Sequence, residues 1–234
     1  MKHCDFQPTP CLVVVQCRYN STRLPGKALL PFGPTTMLGF LLRRLQVGLD
    51  RGGFKLVVAT TMLPDDDKVA AEAVKNGAAV VRGSVDDVLA RYVRCLEQYP
   101  SELIVRVTAD NPFTCPRSIE AMVSLLRQSG ADYARCTGYA LGATADAFTA
   151  GVLMELNEKK LSGPDREHIN KHILENPSSY CMVELSAQGQ EARRALSVTV
   201  DTREEYERIA SIVGDDESEP WNMELNETAR RLDR

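Results

Sequence analysis

The chain has 234 residues, enough for one large domain at about 100–200 residues per domain. Hydrophobic residues make up 44 % and charged residues 26 %, so an ordinary buried core suffices and no disulfide staple is needed. The net charge of −4 excludes a global field that recruits nucleic acid or an anionic membrane; any polyanion must meet a local cluster of cations.

Short β-branched runs alternate with longer amphipathic stretches. The apolar run over 12–16 reads as a strand covered on both faces, followed by a loop rich in Arg, Ser, Pro and Gly. A helix is expected over 37–47, a strand over 55–60, and a helix capped by Asp65 running to Lys75. A third strand over 78–82, a helix over 85–97 opened by Ser84, and a fourth strand over 102–107 come next, and Pro116 marks the first turn of another helix. This alternation predicts βαβ units and a mostly parallel sheet. The Gly/Ala/Thr-rich segment 133–150 has no clear period. Helices are expected over 151–160 and 164–176, strands over 180–185 and 196–200, and a last helix over 203–213. We therefore expect a domain over 1–213 with an inserted arm at about 133–185, and a tail over 214–234 that is loosely ordered or a partner contact.

Seven cysteines occur, an odd number with no C-x-x-C pair, which predicts reduced thiols. No apolar run approaches the roughly 18 residues of a membrane span. The first ten residues lack the apolar core of a signal peptide, and the expectation is a cytoplasmic protein with no membrane or nucleic-acid partner. The N-x-T triplets at Asn20 and Asn226 are then chance matches.

The most informative stretch, Q-C-R-Y-N-S-T-R-L-P-G-K over 16–27, follows the first strand directly. It holds Arg18, Arg23 and Lys27, the hydroxyls of Ser21 and Thr22, Gly26, and no acid. Open α/β sheets bind ligands at the C-terminal ends of their strands, and cations with free backbone N–H groups suit a phosphate chain. Neither the Walker spacing nor G-x-G-x-x-G is present, which argues against a P-loop enzyme and a nicotinamide dehydrogenase. Asp110 and Asp201 each end an expected strand, so both can point into one crevice as ligands for a hard divalent cation, or serve as turn and cap carboxylates.

The stretch resembles the nucleotide-binding loop of the SpsF-type spore-coat polysaccharide cytidylyltransferases, relatives of the synthetases that activate sialic acid and Kdo with CTP. Four further blocks follow in the family's order: R-G-S-V-D-D-V-L-A-R-Y over 82–92, R-V-T-A-D-N-P over 106–112, D-R-E-H over 165–168 and S-V-T-V-D-T over 197–202. The resemblance implies a Rossmann-like, GT-A-like nucleotidyltransferase fold in three α/β/α layers, with the arm serving dimerisation and the acceptor. It implies transfer of CMP from CTP to an acidic sugar or similar acidic acceptor, with Mg²⁺ held by Asp110 and Asp201. Arg18, Lys27, Asp110 and Asp201 become the expected catalytic set. Gln16, Arg18, Ser21, Thr22, Arg23, Gly26, Lys27, Arg82 and Arg106 are the expected nucleotide contacts, with Arg82 donating to the cytosine base. Asp146, Arg166, Glu167 and His168 are the expected acceptor contacts, and a homodimer is expected in which Arg166 and His168 approach the partner's pocket. Two departures stand out: Cys17 replaces the usual alanine, and G-A-T-A-D-A-F over 142–148 carries Asp146 where the family has glutamate.

A glycosyltransferase of related fold is an alternative, although T-A-D over 108–110 lacks the first acid of a D-x-D motif. A phosphonate acceptor and a non-enzymatic nucleotide sensor are further alternatives, the sensor disfavoured by both aspartates being present. His168 and His172 lack a third ligand at suitable spacing for a metal. The acidic runs 65–67 and 215–217 read as a helix start and a solvated tail, and Trp221 as a weak candidate anchor.

Overall fold

Five of the six residues of β1 (Cys11–Gln16) are buried, as a strand covered on both faces requires. The structure, a computed structural model, describes residues 11–49, 53–189, 192, 196–214 and 219–232. The acidic run 215–217 lies outside them. Beside β1 on one side runs β4 (Phe54–Thr61), then β5 (Ala79–Gly83); on the other side runs β6 (Leu103–Thr108), all four parallel. The sheet continues through β8 (Asp146–Thr149), β7 (Tyr133–Thr137) and β9 (Met182–Ser186), in the order β5–β4–β1–β6–β8–β7–β9. Only β8 opposes its neighbours. A small hairpin, β2 (Pro31–Phe32) with β3 (Thr35–Thr36), stands apart from this sheet.

The helices cover both faces. On one, α1 (Met37–Gly48), α2 (Asp67–Lys75) and α4 (Pro116–Ser129) bury Leu38, Leu41, Val69, Ile119 and Met122 against Val13, Val15 and Val105. On the other, α3 (Val88–Gln98) and α5 (Ala150–Glu158) bury Leu89, Tyr92 and Leu153 against Leu12, Val14 and Ile104. Local chemistry starts these helices: Thr36, Asp87 and Thr149 each accept a backbone N–H in the first turn. This is the expected three-layer, mostly parallel α/β/α architecture.

The chain leaves β1 toward β4 on one side and returns to β6 on the other, so a topological switch point falls between β1 and β6, where such sheets bind ligands.

The segment 133–185, expected as an inserted arm, instead supplies β7, β8 and β9 to the main sheet. Only α5, α6 (Gly163–Glu167) and α7 (Lys171–Glu175) depart from it. One helix over 164–176 was expected. The chain breaks at 168–170, and the Asn170 amide there donates to Asp146 Oδ2 at 3.2 Å. The expected strand over 196–200 is reduced to a single bridge from Ser197 to Leu141, because the turn at Gly142 carries its partner away. The tail, expected to be loose, forms α9 (Leu225–Leu232). Met223, Leu225 and Ala229 join Phe32, Phe40 and Phe113 in a third cluster with α8 (Arg203–Ala210).

Candidate active site

A cleft of about 490 Å³ opens at the C-terminal ends of β1 and β6. Its lining includes Gln16, Arg18, Ser21, Thr22, Arg23 and Lys27 from the cationic loop, Arg106 and Asp110 from the end of β6, Asp201, and Glu167 with His168. The loop is shaped by its own backbone. The Tyr19 carbonyl accepts from Ser21 N at 2.9 Å and Gly26 N at 2.7 Å, and the Tyr19 N–H donates to Asp66 Oδ1 at 2.6 Å. Gly26 adopts φ 72°, and a Cβ there would stand 3.2 Å from the Tyr19 ring, so it acts as a turn glycine outside the cleft lining.

Lys27 is 8 % exposed, and its ammonium is fully engaged. It donates to Asp110 Oδ2 at 3.1 Å, Asp201 Oδ1 at 2.9 Å and the Val200 carbonyl at 2.7 Å. Arg23 pairs with the other Asp201 oxygen at 2.7 Å. Backbone bonds hold these pieces in register: Ala109 N donates to the Gln16 carbonyl at 3.1 Å, and Val200 N to the Asp110 carbonyl at 2.9 Å. Burial pushes the Asp201 carboxyl up, but Lys27 and Arg23 outweigh it and hold the group below the usual carboxylate range. The two carboxylate oxygens and the carbonyl meet on the Lys27 ammonium, and the remaining lone pairs of the two carboxylates are hard oxygen donors. This fits a cation of the Mg²⁺ type, which takes one or two protein carboxylates and fills its remaining sites with water and phosphate.

A second polar network lies under the cleft. Arg106 Nε donates to Gln16 Oε1 at 3.2 Å, and its Nη1 donates to Asp146 Oδ2 at 3.1 Å. Asp146 also accepts from the Tyr133 hydroxyl at 2.5 Å. Burial and this carboxylate push the Tyr133 phenol well above its ordinary range, so it stays a donor. Asp146 is thus consumed in holding Arg106 and lies outside the cleft lining. Two other expected contacts are likewise diverted. Arg166 is tied to Asp87 at 2.6 Å and Asn157 at 2.8 Å, both within its own chain. Arg82 pairs with Asp67 and donates to the carbonyls of Thr61 and Leu63 at 2.7 and 2.8 Å. Arg18 reaches Glu167 at 3.6 Å across the cleft mouth.

Arg91, Thr108, Asn111, Leu141, Gly142 and Thr199 also line the cleft and were not among the expected contacts. The signal for Arg91 was available: it lies three residues after buried Val88 and beside buried Tyr92, on the apolar face of α3. Gly142 has φ +84°, and a Cβ would come within 2.7 Å of Thr199 N, so only glycine fits there.

Comparison with known proteins defines the class that this sheet and cleft belong to. Residues 12–228 match the family model described as cytidylyltransferase, and the chain belongs to that family. It is 32 % identical over 204 residues to the spore coat polysaccharide biosynthesis protein SpsF of Bacillus subtilis, covering 86 % of this chain and 85 % of that protein. It is 29 % identical over 160 residues to the 3-deoxy-manno-octulosonate cytidylyltransferase of Colwellia psychrerythraea, covering 64 % of this chain and 55 % of the relative. Among solved structures, a cytidylyltransferase from Leptospira borgpetersenii superposes with a TM-score of 0.80 at 33 % identity, covering 88 % of this chain and 86 % of that one. The protein is a CTP-dependent nucleotidyltransferase.

Proposed function

We propose that the protein transfers CMP from CTP to an acidic sugar or similar acidic acceptor and releases pyrophosphate. The observation that carries this reading is the convergence of Asp110 and Asp201 on Lys27 beneath a loop bearing Arg18, Arg23, Ser21 and Thr22. The β- and γ-phosphates lie on that loop. Arg18 and Arg23 donate to paired oxygens there, while Lys27, its three donors already engaged, holds the two aspartates. An acceptor hydroxyl oxygen bonds to the α-phosphorus in line as the bond to the β-phosphate oxygen breaks; pyrophosphate leaves and the hydroxyl proton passes to solvent. Asp110 and Asp201 would hold Mg²⁺, which when bound offsets the charge that develops on the phosphate oxygens. Arg106, fixed by Asp146 and Gln16 with donors left over, offers an anchor for the acceptor's acidic group, and Glu167 and His168 orient its hydroxyls. A relative named for an acidic octulosonate supports this acceptor class.

The protein acts in the cytoplasm, and no helix among the described residues is long and apolar enough to cross a membrane. It works as a homodimer through α5–α7, where Met154 is a large exposed apolar side chain. Light scattering at micromolar concentration should give twice the chain mass. The function is tested by pyrophosphate release and by the mass of CMP conjugates across a panel of sugar acids and phosphonates. Sugar acids should support CTP-dependent release; release with UTP or ATP but not CTP would sink the assignment.

A further inference from the structure

Arg91 is 3 % exposed and lines the cleft, yet its guanidinium is only partly used. Nη1 donates to the Ser84 carbonyl at 3.0 Å. Nε is buried and has no hydrogen-bond partner, and Arg91 enters no ion pair among the described residues. A buried donor left unpaired is costly, more so when charged, so this group is built for a partner that arrives from outside.

Its surroundings indicate which partner. The Arg91 stem lies over Gly83 at the end of β5, where a Cβ would stand 2.9 Å from Arg91 Cγ. Buried Val88 and buried Cys17 line the cleft with it. The buried Cys17 side chain is a small, soft wall. A tetrahedral, hydrated phosphate gains little from such walls and already has Arg18, Arg23 and two hydroxyls in the more open loop. A flat heteroaromatic ring suits this corner.

We propose that Arg91 reads the O2 and N3 edge of cytosine and separates CTP from UTP, a reading that rests on CTP being the nucleotide used. Cytosine presents two adjacent acceptors on that edge, which the parallel N–H donors of a guanidinium match in bidentate fashion. Uracil carries N3–H at the same place and sets donor against donor, and a site built around one hydrogen-bonding pattern rejects the wrong one strongly. The role expected of Arg82 passes to Arg91, because Arg82 is spent on Asp67 and two carbonyls outside the cleft.

The experiment is calorimetric titration of CTP and UTP, without acceptor, into wild type, Arg91→Met and Arg91→Lys. Near-ultraviolet dichroism identifies which variants retain the fold, and Arg91→Lys keeps the charge if the methionine variant unfolds. Wild type should prefer CTP at least tenfold. In the folded variants that preference should collapse to within about threefold, through weaker CTP binding with UTP little changed. Equal loss for both nucleotides would make Arg91 a phosphate ligand and overturn the proposal. Undiminished preference in a folded variant would make Arg91 merely structural and overturn it too. A wild type without preference would instead remove the CTP reading itself, and this proposal with it.

Discussion

Asp110 and Asp201 share one ammonium, so each can be neutralised with little change of shape. In Asp110→Asn and Asp201→Asn, kcat should fall by about 10²–10³ or more with KM for CTP nearly unchanged, because charge that develops in the transition state loses its partner. Steady-state kinetics over a magnesium titration checks this; near wild-type turnover at low magnesium would count against the mechanism. Asp201 also ties stability to pH. Its folded pKa lies below the unfolded value, so its contribution is present above the ordinary carboxylate value of about 3.9 and is lost as pH falls through the folded value. The urea midpoints of wild type and Asp201→Asn should therefore differ at neutral pH and converge below that value. The loop cations were legible because charges crowded after a strand need an anion, and the place of both aspartates in the cleft because each ends an expected strand. Side-chain diversion was not legible: nothing in the order of residues says that Asp146 is taken by Arg106 and Tyr133, or Arg82 by Asp67.

Helix α8 matters to the site through its first turn. Thr202 and Glu205 form a reciprocal capping box, and Glu205 Oε2 also accepts from Asp201 N at 2.7 Å. Thr202→Ala should cost about 1 kcal/mol of stability. It should also lower kcat more than it raises KM, because the Thr202 hydroxyl positions Glu205, whose carboxylate holds the backbone of Asp201. Thermal melting and steady-state kinetics on one preparation test both effects, and an unchanged kcat would separate the cap from the site. The early elements were readable because runs such as L-V-V-V and K-L-V-V-A-T announce buried strands. By contrast, β7 (Y-A-R-C-T) and β8 (D-A-F-T) are short, mixed and carried by pairing within the sheet. Their strand character is tertiary in origin, so 133–150 showed no period.

At the scale of the molecule, the C-terminal segment closes the core. Arg44, 5 % exposed, donates through Nη1 to the Trp221 carbonyl at 2.8 Å and the Met223 carbonyl at 2.6 Å. Its Nε donates to the Thr114 carbonyl at 2.9 Å. Deleting residues 219–234 would strand this buried cation and uncover the Phe40–Phe113 pair, whose rings lie 5.2 Å apart. Loss of about 3 kcal/mol or more is expected, which for a chain of this size lowers Tm by roughly 10 °C. A truncated chain melting with wild type would show that the segment is dispensable. Its role escaped the sequence reading because a few apolar residues among acids and arginines look solvated until a cavity for them exists.

The seat of Lys27 between two acids has a consequence for how the protein rests between turnovers. Carboxylates drawn this close repel, and in many metal sites only the ion keeps them together. Here a tethered cation from the same chain already offsets that repulsion, so the pair stays assembled whatever the supply of ions. Prolonged dialysis against a chelator should then silence the protein without softening it: turnover disappears, the melting curve stays put, and added magnesium restores full rate within the mixing time. A cell starved of the ion would hold a dormant stock of folded enzyme rather than a degraded one.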